Sequence, residues 1–315
     1  MIITLTDTDG KEKVIRNFRK LVLSQEEGIP AHTLLVRYDY DNDSLNEIAY
    51  IRLENQGKIL FDGIADTITE FYSGKNCYIE VFGRNKVSLL LDNEVKPGIY
   101  NNPTSEQISQ AFLKPYGFNG YTGGTAVYNG IFNVSKGKSP WDIIESFVKS
   151  CYGAIPYCSP DNNVYFTGLP SQGKITFGKG FDFDFYEYRT DIRRYKIISS
   201  VVIKRNEKED YNTEIFSQEA EKRQILRKRY LNASNTRFTP IFCGEKMIQN
   251  GINDSRLISL KCPCLLTDCL GFEALVNIRG QIIDNLRVCG LEVVVTNDEL
   301  YSVVNLRGND VYVDN

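Results

Sequence analysis

Over the first 95 residues, apolar and polar positions tend to alternate with a period of two, the spacing that turns one face of a β-strand onto a core. HTLLVRYDY (His32 to Tyr40) is apolar and then alternating, and the following DYDNDSLNE reads as a polar hairpin tip or loop. EIAYIRLENQGKILFDGIADTITEF holds two strand-like runs around a turn at Asn55 to Gly57, as expected of an antiparallel pair. NCYIEVFGRNKVSLL continues the pattern, with Tyr78, Glu80 and Phe82 opposite Ile79 and Val81. Short strands at a spacing of about ten residues predict a small barrel or sandwich.

The period changes after Val95. Thr104 with Gln107 three residues on forms a capping box, and Ile108, Ala111 and Phe112 fall on one face of the helix that follows. Pro115 and Gly117 stop it. A second helix is predicted from Ser139 as N-cap and Pro140 in the first position, with Ile143, Ile144, Phe147, Val148 and Cys151 as its buried stripe. The helices share Ile, Tyr and Gly at the same offsets (ISQAFLKPYG and IESFVKSCYG), a short similarity that amphipathic helices ending in Gly commonly show. AIPYCSPDNNVYFTG then reads as two short strands around a turn.

Strand patterning returns near Gly180. Phe181, Phe183 and Phe185 alternate with Asp182, Asp184 and Tyr186, predicting a strand with aromatics on one face. RRYKIISSVVIKRN is a further strand, buried around Val201 to Ile203. A charged stretch (Lys204 to Tyr230), a helix around Thr239 to Gln249 and four final strands complete the chain. The expected division is a β domain over 1–95, an α/β unit over 96–178 and a second β domain with one helix over 179–315.

A length of 315 residues fits two or three domains, each able to bury a core. A net charge of −3 with mixed signs argues against a dedicated nucleic-acid binder. The many aromatics (19 Tyr, 17 Phe) lean toward β-structure. The N-terminus has no signal-peptide pattern, and no run is long and apolar enough to predict a membrane span. Eight cysteines without a secretory signal read as reduced thiols made in the cytoplasm.

Candidate chemistry is sparse. His32 is the single histidine, so every Ser-His-Asp or Cys-His arrangement would need it, and its place at the start of an apolar strand reads as structural. Gly137-Lys138-Ser139 lacks the first Gly of a phosphate loop, since position 132 is Phe, and Ser139 serves as a cap. Cys262, Cys264 and Cys269 lack the two-residue gap of a zinc knuckle and read as buried thiols. Lys222, Arg223, Arg227, Lys228 and Arg229 could contact phosphates, or form a solvated element facing Glu219 and Glu221, the simpler reading. Asp62, Asp66 and Asp92 are the remaining acids of interest. Glycosidic cleavage needs an acid pair in a cleft. Asp62 before Gly63 reads as a bulge or turn between strands, and Asp92 as the end of a strand or helical turn.

ILFDGIADTITE followed by YIEVFGRNKVSLLLDNEV resembles the phage-tail baseplate hub family of the late-control protein D type, found also in prophage-like elements and tail-derived bacteriocins. That pattern runs apolar strand, Asp, Gly-x-Ile/Val, then a strand ending Gly-Arg-Asp/Asn-x-x-x-x-Leu-Leu-Asp. Asp62, Gly63, Gly83, Arg84, Asn85, Leu90, Leu91 and Asp92 match it. PTSEQISQAFLKPYGF and the segment from Lys136 to Gly168 resemble the family's following helices and hairpin, and ISSVVIKRN the opening strand of its next β domain. At Gly271 the usual acid after Gly is replaced by Phe272.

The resemblance implies a mixed α+β, mainly β chain: two tail-tube-like antiparallel β-barrel domains with a small α/β insert. It implies no catalysis, cofactor or metal, and a homotrimer joining the sixfold tail tube to the trimeric central spike, with tape-measure and baseplate wedge proteins as further partners. The implied location is the baseplate of a virion or tail-like particle, assembled in the bacterial cytoplasm. A host-surface or carbohydrate-binding module, which the aromatic content permits, and a cell-wall hydrolase are the competing readings.

Overall fold

The computed structural model of the chain describes residues 1–40, 47–74, 76–170, 173–206, 210–233 and 238–309. The predicted hairpin tip at 41–46 lies outside them.

The first unit contains β1 (Ile2–Asp7), β2 (Glu12–Ile15), β3 (Lys20–Glu26), β4 (Thr33–Asp39), β5 (Ile48–Asn55), β6 (Lys58–Ser73) and β7 (Asn76–Asn85). Alternate positions are buried, so Ile3, Leu5, Leu21, Leu23, Leu34, Val36, Ile51 and Leu53 form one core with Phe61 and Val81. The strand order is β2-β1-β5-β6-β7-β4-β3. Gln56 and Gly57 both have positive φ (51° and 80°), the two-residue geometry that matches the right-handed twist of a hairpin.

The insert follows, with α1 (Ser88–Asp92), β8 (Gly98–Asn101), α2 (Ser105–Phe112), β9 (Tyr121–Thr122), β10 (Ile131–Val134), α3 (Pro140–Tyr152), β11 (Tyr157–Cys158) and β12 (Val164–Tyr165). Both predicted N-caps form: Thr104 in its capping box with Gln107, and Ser139, which the structure also joins in a box with Asp142. Ile108, Phe112, Ile144, Phe147, Phe166 and Leu90 share a separate core.

Next come β13 (Lys174–Phe177) and β14 (Glu187–Ile192), then β15 (Ser200–Lys204), β16 (Thr213–Phe216), α4 (Gln218–Lys222), β17 (Lys228–Asn232) and α5 (Pro240–Asn253). β18 (Arg256–Cys262), β19 (Glu273–Ile278), β20 (Gln281–Thr296) and β21 (Leu300–Gly308) complete the chain. The second β unit runs β14-β18-β21-β20-β19-β13 around its own core. β16-β15-β17 is a small sheet covered by α5, with Val201, Ile203 and Ile248 between them.

Four features differ from the sequence expectation. Residues 181–186 form no strand: Thr176 donates to the Asp182 carboxylate through its backbone N–H (3.0 Å) and hydroxyl (2.7 Å), folding the segment back onto β13. The charged stretch contains β16 and α4, whose side chains pair across the sheet (Lys228–Glu214, 2.9 Å) and along the helix turn (Arg223–Glu219, 2.6 Å). β13, placed within 96–178 by position, pairs with β19 of the second β unit. Finally, β3 and β20 form a seven-pair antiparallel ladder from Lys20–Thr296 to Glu26–Gly290, so both β units belong to one 13-stranded sheet. The chain is mixed α+β and mainly β; in the large sheet β19 and β13 branch from the main path at β20, and among the described residues no pairing closes either half.

The two β units repeat one another. β6 and β20 are both 16 residues long and begin at Lys58 and Gln281, 223 positions apart. The same shift carries the Gln56-Gly57 turn onto Arg279-Gly280, which also has φ of 52° and 87°. It carries the bulge residue Asp66, skipped between Ala65 and Thr67, onto Cys289, skipped between Val288 and Gly290.

Candidate functional site

The family-pattern residues converge where β6 crosses β7. Gly63 lies opposite Asn85 and Ala65 opposite Gly83. A Cβ on Gly63 would stand 2.2 Å from the Arg84 carbonyl oxygen, and one on Gly83 2.4 Å from that of Ile64. Both glycines therefore permit a close backbone approach. This corrects the reading of Asp62-Gly63 as a bulge or turn: both residues lie inside β6, laddered to Arg52 and Ile51 of β5, and the bulge falls at Asp66.

The bulge aims Asp66 at Arg84. The Arg84 guanidinium donates to both Asp66 oxygens (2.7 and 3.0 Å) and to both Asp92 oxygens (3.1 and 2.6 Å). Asp92 ends α1, so this clamp ties the first helical turn of the insert to the β6–β7 crossing. Leu90 fills the insert core and Leu91 packs at its margin. Hydrogen bonds to Asp66 and Asp92 raise the Arg84 pKa, and the guanidinium holds the Asp92 carboxyl below its ordinary value. Asp62 accepts from Arg52 Nε (3.0 Å) and from Asn162 Nδ2 (2.9 Å) in the β11–β12 turn, a second link to the insert. The Arg52 pKa is raised, first by that hydrogen bond. Beside Asp62 lies a cleft of about 500 Å³ bordered by Tyr50, Arg52, Lys86 and Tyr116.

All three candidate carboxylates are thus bonded to arginine, Asp62 to Arg52 and both Asp66 and Asp92 to the one Arg84 guanidinium, so none stands free beside another as an acid pair would. His32 is buried, and burial pushes its imidazole down to about 4. Among the described residues, neither ring nitrogen has a hydrogen-bond partner, so no carboxylate orients it as a base. Its carbonyl accepts from the Asn85 backbone N–H (3.0 Å), and its ring lies 5.7 Å from that of Tyr157. The Asn85 side chain is likewise buried without a partner among the described residues. Ser139, in the failed phosphate-loop match, caps α3. Cys262 and Cys269 lie in the second β core, where burial pushes each thiol up to about 12; burial also raises that of Cys264.

Sequence reasoning missed a second clamp. The 223-residue shift carries Arg84 onto Arg307, which donates to Asp254 (2.6 Å) and Glu27 (2.9 Å); Arg287 also pairs with Glu27 (3.4 Å). Glu27 follows β3, so this clamp locks the junction between the β units.

No family model matches the sequence, and no curated protein does. Solved structures do match. A tail protein from Neisseria meningitidis superposes with a TM-score of 0.76 at 11% identity, covering 98% of this chain and 97% of that one. A prophage tail protein from Shewanella oneidensis gives 0.76 at 15% identity, covering 98% of both chains. The chain has the fold of phage tail proteins. The fold extends to the c3393 protein of Escherichia coli, a type VI secretion component structurally similar to the T4 tail proteins gp27 and gp5, with a TM-score of 0.55 at 10% identity over 94% of this chain and 74% of that one.

Proposed function

We propose that this chain is a structural baseplate hub, the adaptor between a sixfold tail tube and a threefold central spike. The observation that carries the reading is the internal repeat: the runs β5-β6-β7-β4-β3 and β19-β20-β21-β18-β14 match in order and bulge position and share one sheet. Three copies would present six related units to a tube ring while keeping threefold symmetry for the spike. The tail-protein fold over 98% of the chain supports the same role.

In this reading the chain is a homotrimer with tube and spike proteins as direct partners, and tape-measure and wedge proteins nearby. It works in the baseplate of a virion or tail-like particle and is assembled in the cytoplasm. Its domains are a tube-like unit over 1–95, the insert over 96–178 and a second tube-like unit over 179–315, with α1 packing across the first boundary into the insert core and β13 crossing the second. It is not an enzyme: the arginine-bonded carboxylates and the unoriented His32 support a scaffold. Among the described residues, no helix is long and apolar enough to cross a membrane.

Mixing the purified chain with its tube and spike proteins tests the reading. Stable ternary particles are expected; a chain that ignores both proteins, yet binds cell-wall glycans, would favour the adhesin.

A further inference from the structure

We infer that the distal half of β6 is an intersubunit strand that pairs with β14 of a second copy, in a register set by the β20–β3 ladder inside the chain. The inference rests on the hub reading for its partner, another copy of this chain; the pairing itself comes from the repeat.

β6 is laddered to β5 only as far as Ile64. From Thr67 to Ser73 it pairs with β7 alone among the described residues, leaving seven residues of free strand edge. The equivalent stretch of β20, Gly290 to Thr296, has no such edge because β3 is laddered onto it. The counterpart of β3 in the second unit is β14. Leu21 lies two strands out from Val81, through Val36, and Tyr188 two strands out from Val304, through Leu260. Val81 and Val304 are themselves 223 positions apart. β14 pairs only with β18, so its outer edge is also free among the described residues. Each chain therefore contains one completed junction and the two unpaired halves of another.

The internal register fixes the external one. Inside the chain Leu291 faces Gln25 and Val295 faces Leu21. Shifted onto the free edges, Ile68 of one copy faces Ile192 of the next, and Tyr72 faces Tyr188. All four are exposed, Tyr72 at 81% and Ile192 at 58%, whereas their counterparts Leu21, Gln25 and Leu291 are buried. On the opposite face the register places Phe71 across from Arg189, a cation–π pairing. An exposed strand edge carrying large apolar side chains is an aggregation hazard unless it is paired. Head-to-tail pairing of this kind repeats around a ring, with internal and external junctions alternating.

The test is a register-specific cross-link in the full chain. Under oxidation, in a Cys77→Ser background because Cys77 lies opposite Tyr72 on β7, Tyr72→Cys with Tyr188→Cys should give a reductant-sensitive ladder of covalent multimers. Each single variant should give none. Tyr72→Cys with Ile192→Cys should give none either, because it places the thiols four residues, about 13 Å, out of register. Ile68→Glu should weaken self-association at least tenfold, and adding Ile192→Lys should restore most of it. A protein that scatters as a trimer but gives no matched ladder would overturn this pairing and leave the hub reading standing. A chain that stays monomeric at every concentration, alone and with tube protein, would overturn both.

Discussion

Gly63→Ala provides a severe test of how the β6–β7 crossing is built. The added Cβ would lie 2.2 Å from the Arg84 oxygen and 2.8 Å from Asn85 Cα, whereas ordinary contacts begin near 3.4 Å, so the strands must separate by about 1.2 Å. Every blocking atom belongs to backbone held in a ladder, and no flexible side chain can move aside. Overpacking costs about 1–3 kcal/mol, and a strained ladder hydrogen bond adds roughly 1, for an expected loss of about 2–4 kcal/mol. Gly98→Ala is the matched control, also in a strand but with nothing within 4 Å of the added atom. Differential scanning calorimetry should show the transition containing the first β unit lowered by several degrees for Gly63→Ala and unmoved for Gly98→Ala. Equal transitions for the two variants would refute the close-approach account.

Arg84→Ala should cost about 1–2 kcal/mol by chemical denaturation, with little rescue by Lys, because four hydrogen bonds run from one guanidinium to two carboxylates. The part contributed by Asp92, whose carboxyl is held below its usual value, is present above the unfolded carboxylate pKa and lost as pH falls through the folded one, so wild-type and Arg84→Ala stabilities should converge in acid. Neutral burial of His32 should give stability that is fully present above pH 6.5 and falls between 6.5 and about 4, by on the order of 3 kcal/mol, as the unfolded chain takes up a proton that the folded chain refuses. His32→Leu should remove that slope, and an unchanged profile would count against the buried neutral imidazole. Ser139→Ala should lower the stability of the insert by about 1 kcal/mol, measured by hydrogen exchange along α3, through loss of its capping hydrogen bond (3.1 Å) to the Asp142 N–H.

Much of this architecture was legible because it is local. The caps at Thr104 and Ser139, the stripe from Ile143 to Cys151 and the Gln56-Gly57 turn each depend on residues a few positions apart. The family pattern from Asp62 to Asp92 also marked residues that meet, but not how: Gly63 suggested a turn because the oxygen it accommodates belongs to Arg84, on the next strand. The repeat was hidden. At the 223-residue shift from β5–β7 onto β19–β21, identities are few: Gly57 and Gly280, Ile59 and Ile282, Tyr78 and Tyr301, Val81 and Val304, Arg84 and Arg307. The junction between the β units was equally hidden, since its ladder joins Lys20 to Thr296 across almost the whole chain. The alternating aromatics from Phe181 to Phe185 carried a strand's period, yet the Asp182 carboxylate on Thr176 folds them against β13.

The most direct test of the hub is the stoichiometry and symmetry of the chain bound to its tube protein, by multi-angle light scattering and cryo-electron microscopy of one sample. Three copies per complex, their six β units forming a ring in register with a sixfold tube ring, are the predicted result. A complex with six copies per ring, or a monomer that leaves the tube protein unbound, would contradict it.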